Sequence, residues 1–302
     1  MCGIVGLFLK DEALRPDLGR LLSEMLVTMT DRGPDSAGIA IYGAETPGRT
    51  KITVQSPAPA RDFPGLAEAL AAATGSAVEI ARRDTHGVLT VAEDAAAAVR
   101  AALTTVAPEV RVMGVGAAVE IFKEVGKPAD VVRRFGVAAM AGTHGIGHTR
   151  MATESAVTTL GAHPFSTGPD QCLVHNGSLS NHNNVRRVLR HRGARFETEN
   201  DSEVAAAYLT DAMAGGRDLG AALAGALADL DGFFTFVVGT RSGFGVLRDP
   251  IACKPAVMAE TDAYVAFGSE YRALAGLPGI ETARVWEPEP ATVYFWDHAR
   301  AA

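Results

Sequence analysis

The sequence predicts an α+β fold with layered sheets. Alternating or apolar runs of strand length stand at both ends of the chain, and helical periodicities cluster between them. A stretch rich in alanine and small residues, 44–115, follows an order of its own, β-α-β-β-α-β. At 302 residues the chain can bury a full core, as one large domain or two.

Residues 3–9 alternate and carry apolar bulk, which marks a strand. Over 17–30, Leu18, Leu21, Leu22, Met25, Leu26 and Met29 recur at helical spacing and form one apolar face. The turn-rich run Asp31-Arg32-Gly33-Pro34-Asp35-Ser36-Ala37-Gly38 stops that helix, and 39–42 is a second strand. In the alanine-rich stretch, strands at 51–55, 77–82, 86–92 and 110–115 enclose helices at 63–73 and 94–105, the order of a ferredoxin-like unit. His86 there reads as a loop residue with a solvated side chain. A strand at 119–125 and a helix at 128–135, opened by Pro128, follow. The glycine-rich strand 142–153 admits close approach of another backbone or a ligand. A strand at 171–175 runs into Asn176-Gly177, which taken by itself is a hairpin turn. Helices are expected at 183–191, 201–213 and 219–230. Short strands at 233–238, 244–247, 256–258, 263–267 and 292–296 come next, with a short helix at 270–274.

Hydrophobic content of 47% and charged content of 21% are ordinary for a globular protein. A net charge of −7, a pI near 5.6 and no basic run argue against nucleic acid and anionic membrane as partners. Three cysteines, Cys2, Cys172 and Cys253, are few and odd in number. They suit a reducing compartment and not a disulfide framework. The start has no charged region leading into a long apolar stretch, so no signal peptide is expected, and no run approaches the ~20 apolar residues of a membrane span. Cytoplasmic placement is the expectation.

Cys2 carries the first chemical signal. Removal of Met1 would give one residue both a thiol and a free α-amine. The thiolate is the nucleophile. An α-amine with a pKa of roughly 7.7–8.0 can take the proton of a thiol of about 8.5, directly or through water. Taken alone, Met-Cys-Gly in most proteins is only a small buried cysteine starting a strand.

Other segments decide between these. In order along the chain they are Met1-Cys2-Gly3-Ile4-Val5-Gly6; Arg32-Gly33-Pro34-Asp35-Ser36-Ala37-Gly38; Gly147-His148-Thr149-Arg150-Met151-Ala152-Thr153; His175-Asn176-Gly177-Ser178-Leu179-Ser180-Asn181; and Asn200-Asp201-Ser202-Glu203. Together they resemble the class II, N-terminal-nucleophile glutamine amidotransferases. The resemblance covers 1–43 and about 116–249, and more weakly the C-terminal strands. Residues 44–115 lie outside it and are read as an insertion, with the amidotransferase core at 1–43 and 116–302.

The resemblance implies a four-layer α/β/β/α sandwich of two antiparallel sheets and hydrolysis of glutamine to glutamate and ammonia. Cys2 would attack the amide carbon, giving an oxyanion and then a γ-glutamyl thioester, with its own amine as base and acid. Asn176 and Gly177 would donate N–H groups to the oxyanion. Arg150 would grip the α-carboxylate bidentately, Thr153 would add a donor to it, and Asp201 would take the α-ammonium. Read as residues alone, Arg150 is a surface cation on a strand and Asp201 a helix N-cap. Arg32 and Asp35 are expected to brace the Cys2 loop. His148, His163 and His175 are read as structural, since an N-terminal nucleophile needs no histidine. Glu154 stands where many relatives carry His, Gly or Asn, and adds a carboxylate beside the expected glutamine pocket. No metal-ligand spacing appears.

The opening 1–43 resembles stand-alone subunits related to the glutaminase domain of glutamate synthase, such as the A subunit of N-methylglutamate synthase (methylamine–glutamate N-methyltransferase). No dinucleotide fingerprint, P-loop, phosphoribosyl-binding run or iron–sulfur cysteine set is present. The resemblance therefore implies no cofactor in this chain, and FMN, with any iron–sulfur cluster, in a separate synthase subunit. A free-standing γ-glutamyl amide hydrolase and a catalytically silent glutamine-binding regulatory subunit are the alternatives.

Overall fold

The computed structural model describes residues 2–152 and 156–298. A seven-stranded sheet holds, in spatial order, β15 (Arg284–Trp286), β13 (Val257–Glu260), β14 (Tyr264–Gly268), β1 (Gly3–Leu9), β8 (His144–Arg150), β2 (Ser36–Tyr42) and β7 (Val119–Val125). A five-stranded sheet holds β16 (Val293–Asp297), β12 (Gly243–Arg248), β11 (Gly232–Gly239), β10 (Gln171–Leu179) and β9 (Phe165–Gly168). The neighbours in both are antiparallel.

Residue pattern explains the layering. Along β1, Val5, Leu7 and Leu9 join the cluster under helix α1 (Leu18–Thr28), while Ile4 and Phe8 join the cluster between the two sheets. A strand buried on both faces is apolar at every position, as β1 is. Helix α1 makes no side-chain hydrogen bond at its N-cap. It buries Leu18, Leu21, Leu22, Met25 and Leu26, each contributing ~1.5–3 kcal/mol against ~1 for a cap, so packing holds it in place. Helix α5 (Pro128–Phe135) lies on the same side of the sheet through Val131, Val132 and Phe135. On the far side, α7 (Asp201–Ala214) and α8 (Leu219–Asp229) bury Ala205, Leu209, Leu219 and Leu223 against the five-stranded sheet. Helix α6 (His182–His191) packs on α7 through Leu189 and Val204. The result is a four-layer α/β/β/α sandwich with β1 in the middle of its sheet.

Strands β2 and β7 are paired neighbours. The chain between them forms a third sheet, in order β4 (Val78–Arg83), β5 (His86–Ala92), β3 (Arg49–Gln55) and β6 (Arg111–Gly116). Helices α2 (Pro59–Asp62), α3 (Leu66–Thr74) and α4 (Ala96–Val106) accompany it, and it has its own core around Ile52, Leu70, Leu89 and Val99. This sheet also packs against β7. Ile121 N–H donates to Thr53 Oγ1 at 3.3 Å, and Lys51 Nζ pairs with Glu120 at 2.9 Å. His86 is fully buried inside β5, edge-on to Phe135 at 4.7 Å, and not a solvated loop residue. Burial pushes its imidazole down to about 3.

Two further readings change. The strand expected to turn at Asn176-Gly177 continues to Leu179, paired throughout with β11. Strands β9 and β15, too short for a period to register, were not expected. Among the described residues no helix is long and apolar enough to cross a membrane.

Candidate active site

Cys2 stands immediately before β1 and is partly buried. Its carbonyl oxygen accepts from Arg32 Nε at 2.9 Å and from Asn176 Nδ2 at 3.3 Å. Three distant pieces of sequence thus meet at one residue. The start of β1 is fixed further along: Ile4 N–H donates to Ser269 Oγ and Ser269 N–H returns to Ile4 O, both at 2.9 Å. Gly3 leaves no space for a side chain, since a Cβ would meet Thr149 Oγ1 at 2.8 Å.

Arg32 is 8% exposed and its Nη1 pairs with Glu270 Oε1 at 2.6 Å. That hydrogen bond holds the Glu270 carboxyl below its usual range, with the Arg272 cation adding to it. A buried arginine with a carboxylate partner and a carbonyl to bond is fixed in position, and here it holds the Cys2 carbonyl. Asp35 acts elsewhere. It donates its N–H to Arg150 O at 3.1 Å and accepts from Ala152 N–H at 2.8 Å. Gly33 packs on the same backbone, where a Cβ would lie 2.6 Å from Arg150 N. The 33–35 turn therefore braces the Arg150 end of β8.

Arg150 is buried, at 8% exposure, and is not a surface cation. Gly3 pairs with Thr149, so the register carries Cys2 and Arg150 to the same end of the paired strands β1 and β8. Arg150 Nη1 donates to Gly161 O at 3.2 Å. Thr153 and Glu154 lie outside the described residues.

Asn176 and Gly177 sit within β10. Gly177 has φ +146, and a Cβ there would stand 1.9 Å from Phe233 O, so only glycine fits. Its opposite number on β11, Phe234, uses its N–H on Asp249 Oδ1 and its C=O on Asp249 N–H. Ladder alternation then turns the Gly177 amide away from β11.

Asp201 is the first residue of α7, and the cap is its neighbour Asn200, whose side chain accepts from Ser202 N–H. The Asp201 carboxylate accepts from Leu179 N–H at 2.9 Å and from Ser202 Oγ at 3.3 Å. Behind it lies a buried histidine cluster. Ser202 Oγ is 2.9 Å from His163 Nε2 and 2.8 Å from His175 Nδ1. His148 stacks on His163 at 4.0 Å and bonds His175 O through Nε2. Burial drives all three imidazoles below their ordinary range, His148 to about 3. At neutral pH they are uncharged and link β8, β10 and α7.

Sequence reasoning gave no role to Ser269, Glu270, Ser202 or Gly161, though Ser202 stands in the last of the five blocks. Each is a common residue type in a loop or first turn, and spacing gives no signal for it. Among the described residues no group of three or more histidine, cysteine, aspartate or glutamate side chains is placed to hold a metal ion. A cleft of about 400 Å³ opens between Arg61, Leu66, Val106 and Glu109 in the small-sheet unit, and none of the expected site residues lines it. Chemistry, not volume, marks the site.

A cysteine at the head of a central strand, in an α/β/β/α sandwich and faced by an asparagine amide, is the arrangement of the N-terminal-nucleophile hydrolase fold. The comparisons narrow this. Residues 148–276 match the glutamine amidotransferase domain family. Over all 302 residues the chain is 70% identical to the glutamine amidotransferase-like protein GlxB of Rhizobium meliloti (strain 1021), covering 100% of both. It is 33% identical to a putative glutamine amidotransferase of Methanothermobacter thermautotrophicus, over 98% of this chain and 100% of that one. Among solved structures, the glutamine phosphoribosylpyrophosphate amidotransferase of B. subtilis superposes with a TM-score of 0.63 at 17% identity. That match takes in 99% of this chain and 48% of the other, so this chain spans about half that protein's length and the likeness is one of fold. The chain belongs to the glutamine amidotransferase family.

Proposed function

We propose that this chain is a glutaminase subunit that hydrolyses glutamine to glutamate and ammonia with Cys2 as nucleophile. The observation that carries the reading is the hydrogen bond from Asn176 Nδ2 to the Cys2 carbonyl. It brings an amide donor beside the thiol-bearing residue. That amide nitrogen has a second N–H to donate.

Once Met1 is removed, the Cys2 amine takes the thiol proton. The sulfur attacks the side-chain amide carbon, forming a C–S bond and an oxyanion that Asn176 and the Gly177 amide receive. The C–N bond then breaks, the Cys2 ammonium gives its proton to the departing amide nitrogen, and ammonia leaves. Water cleaves the γ-glutamyl thioester to glutamate and restores the thiol. Arg150 holds the substrate α-carboxylate, helped by Thr153, and Asp201 holds the α-ammonium. Arg32 and Asp35 are supports, one at Cys2 and one at Arg150.

The ammonia is proposed to pass to a separate FMN-dependent, glutamate-synthase-like subunit of the N-methylglutamate synthase type, FMN being bound there and not by this chain. Two relatives matched over their full length, both named for the amidotransferase alone, support a glutaminase unit of this size. Three unpaired cysteines suit a reducing cytoplasm. Residues 44–115 are proposed to be an inserted unit. The test is glutamate release from glutamine by the mature chain, alone and with co-purified subunits. No release in either setting contradicts the glutaminase, and release unaffected by any co-purified flavoprotein contradicts the partner.

A further inference from the structure

The segment from Leu160 to Pro164 touches both halves of the proposed head-group site. Gly161 O accepts from Arg150. His163, two residues on, bonds Ser202 Oγ, whose hydroxyl bonds Asp201. Lys123 on β7 holds this segment in place. Its side chain is almost wholly buried, at 4% exposure. Its Nζ donates to the carbonyls of Leu160 at 3.2 Å, Ala162 at 2.8 Å and Pro164 at 3.2 Å. The ammonium also lies 4.7 Å from the centre of the Phe165 ring. An ammonium has three N–H groups, and here three carbonyls meet them. The fit below is tight, since a Cβ on Gly38 would stand 2.1 Å from His163 O and 2.5 Å from Lys123 Cβ. Burial pushes Lys123 down to about 8, opposed by the Glu203 and Glu197 carboxylates. A charge kept in so dry a place needs hydrogen-bond partners, and these carbonyls supply them.

We propose that Lys123 is a positioning residue for substrate binding. By pinning the Leu160–Pro164 segment it sets the places of Arg150 and Asp201, and so the spacing between the groups that grip the α-carboxylate and α-ammonium. This rests on the substrate-binding roles proposed for Arg150 and Asp201. Lys123 touches neither substrate nor Cys2, so its loss acts on glutamine affinity and not on the thiol.

The experiment compares the full mature chain with Lys123→Met and Lys123→Arg, reading glutaminase KM and kcat, and alkylation of Cys2 by iodoacetamide, which has no amino-acid head group. Lys123→Met is expected to raise KM ~10-fold or more, a loss equivalent to about one charged hydrogen bond. Its kcat should stay within about threefold, and its iodoacetamide rate should match wild type. Lys123→Arg, which keeps a cation toward the carbonyls, should restore most of the KM. An unchanged KM in Lys123→Met overturns the proposal, and so does a fall in kcat at constant KM or a parallel fall in alkylation rate. Should Lys123→Met not fold, Lys123→Gln replaces it against Lys123→Arg, and equal KM in the two overturns the proposal. A wild-type chain that releases no glutamate contradicts the glutaminase reading itself, a result separate from any difference between variants.

Discussion

Asn176 Nδ2 donates to the carbonyl oxygen of Cys2 at 3.3 Å, across 174 residues of chain. The bond spans the two sheets, since Cys2 heads β1 in one and Asn176 lies in β10 of the other. In the proposed reaction it joins the residue that attacks to the residue that receives the oxyanion.

The two groups of site residues should separate kinetically. Asn176→Ala removes a donor to the oxyanion, so kcat should fall ~10²–10³-fold. Arg150→Lys loses the planar fork that meets a carboxylate, so KM for glutamine should rise while kcat moves less. Steady-state kinetics on both variants checks this.

Gly177→Ala should damage stability as well as turnover. The new Cβ would lie 1.9 Å from Phe233 O, on a backbone with φ +146. Gly193 also has positive φ, +97, but open space around it. Gly193→Ala should therefore cost only the backbone strain, of order 1–3 kcal/mol, and Gly177→Ala more. Thermal denaturation of both variants measures the difference.

Much of the candidate site was legible in the sequence because chain order and residue type pointed to it: a cysteine at position two, and the blocks around Arg150, Asn176 and Asp201. What the sequence hid was tertiary. Asn176-Gly177 has the composition of a hairpin turn, yet the strand runs through it because β11 pairs with both residues. His86 looked solvated because it is a lone histidine at a loop, yet the ring packs against Phe122 and Phe135 from elsewhere in the chain. A helix cap was the alternative reading of Asp201, and the structure gives that role to its neighbour Asn200. For the fold, strongly periodic helices such as α1 were plain. Three- and four-residue strands such as β9 and β15 exist only because a neighbouring strand pairs with them.

Acid should unfold the protein through its buried histidines. Burial pushes His86, His144 and His148 down to about 3, and lowers His163 and His175 as well. In the unfolded chain these groups take protons near 6.5, and in the folded chain His86, His144 and His148 resist until about 3. Between those values the unfolded state binds more protons, so stability is full above about 6.5 and is lost as pH falls toward 3. Tm measured from pH 7.5 downward should be flat at first and then fall steeply. His148→Gln, which keeps a donor and cannot be charged, should flatten the fall.

Replacing 44–115 with a short Gly/Ser linker should lower Tm, because the small sheet covers β7. Thr53, Lys51 and His86 would leave Ile121, Glu120 and Phe122 without their neighbours. Cys2, Asn176 and Arg150 lie outside the replaced stretch, so any folded product should still release glutamate. Thermal denaturation with a glutaminase assay at low temperature reads both effects.

Whether Cys2 is the nucleophile is decided by trapping its thioester. The mature chain is mixed with glutamine, quenched in acid within the first turnover, digested, and read by mass spectrometry. One γ-glutamyl adduct is expected, on the Cys2 peptide, and none in Cys2→Ala, which should fold but release no glutamate. Buried Cys172, with its thiol pushed up to about 12, and exposed Cys253 should carry nothing. An adduct on either of those, or full turnover by Cys2→Ala, would contradict Cys2 as the nucleophile.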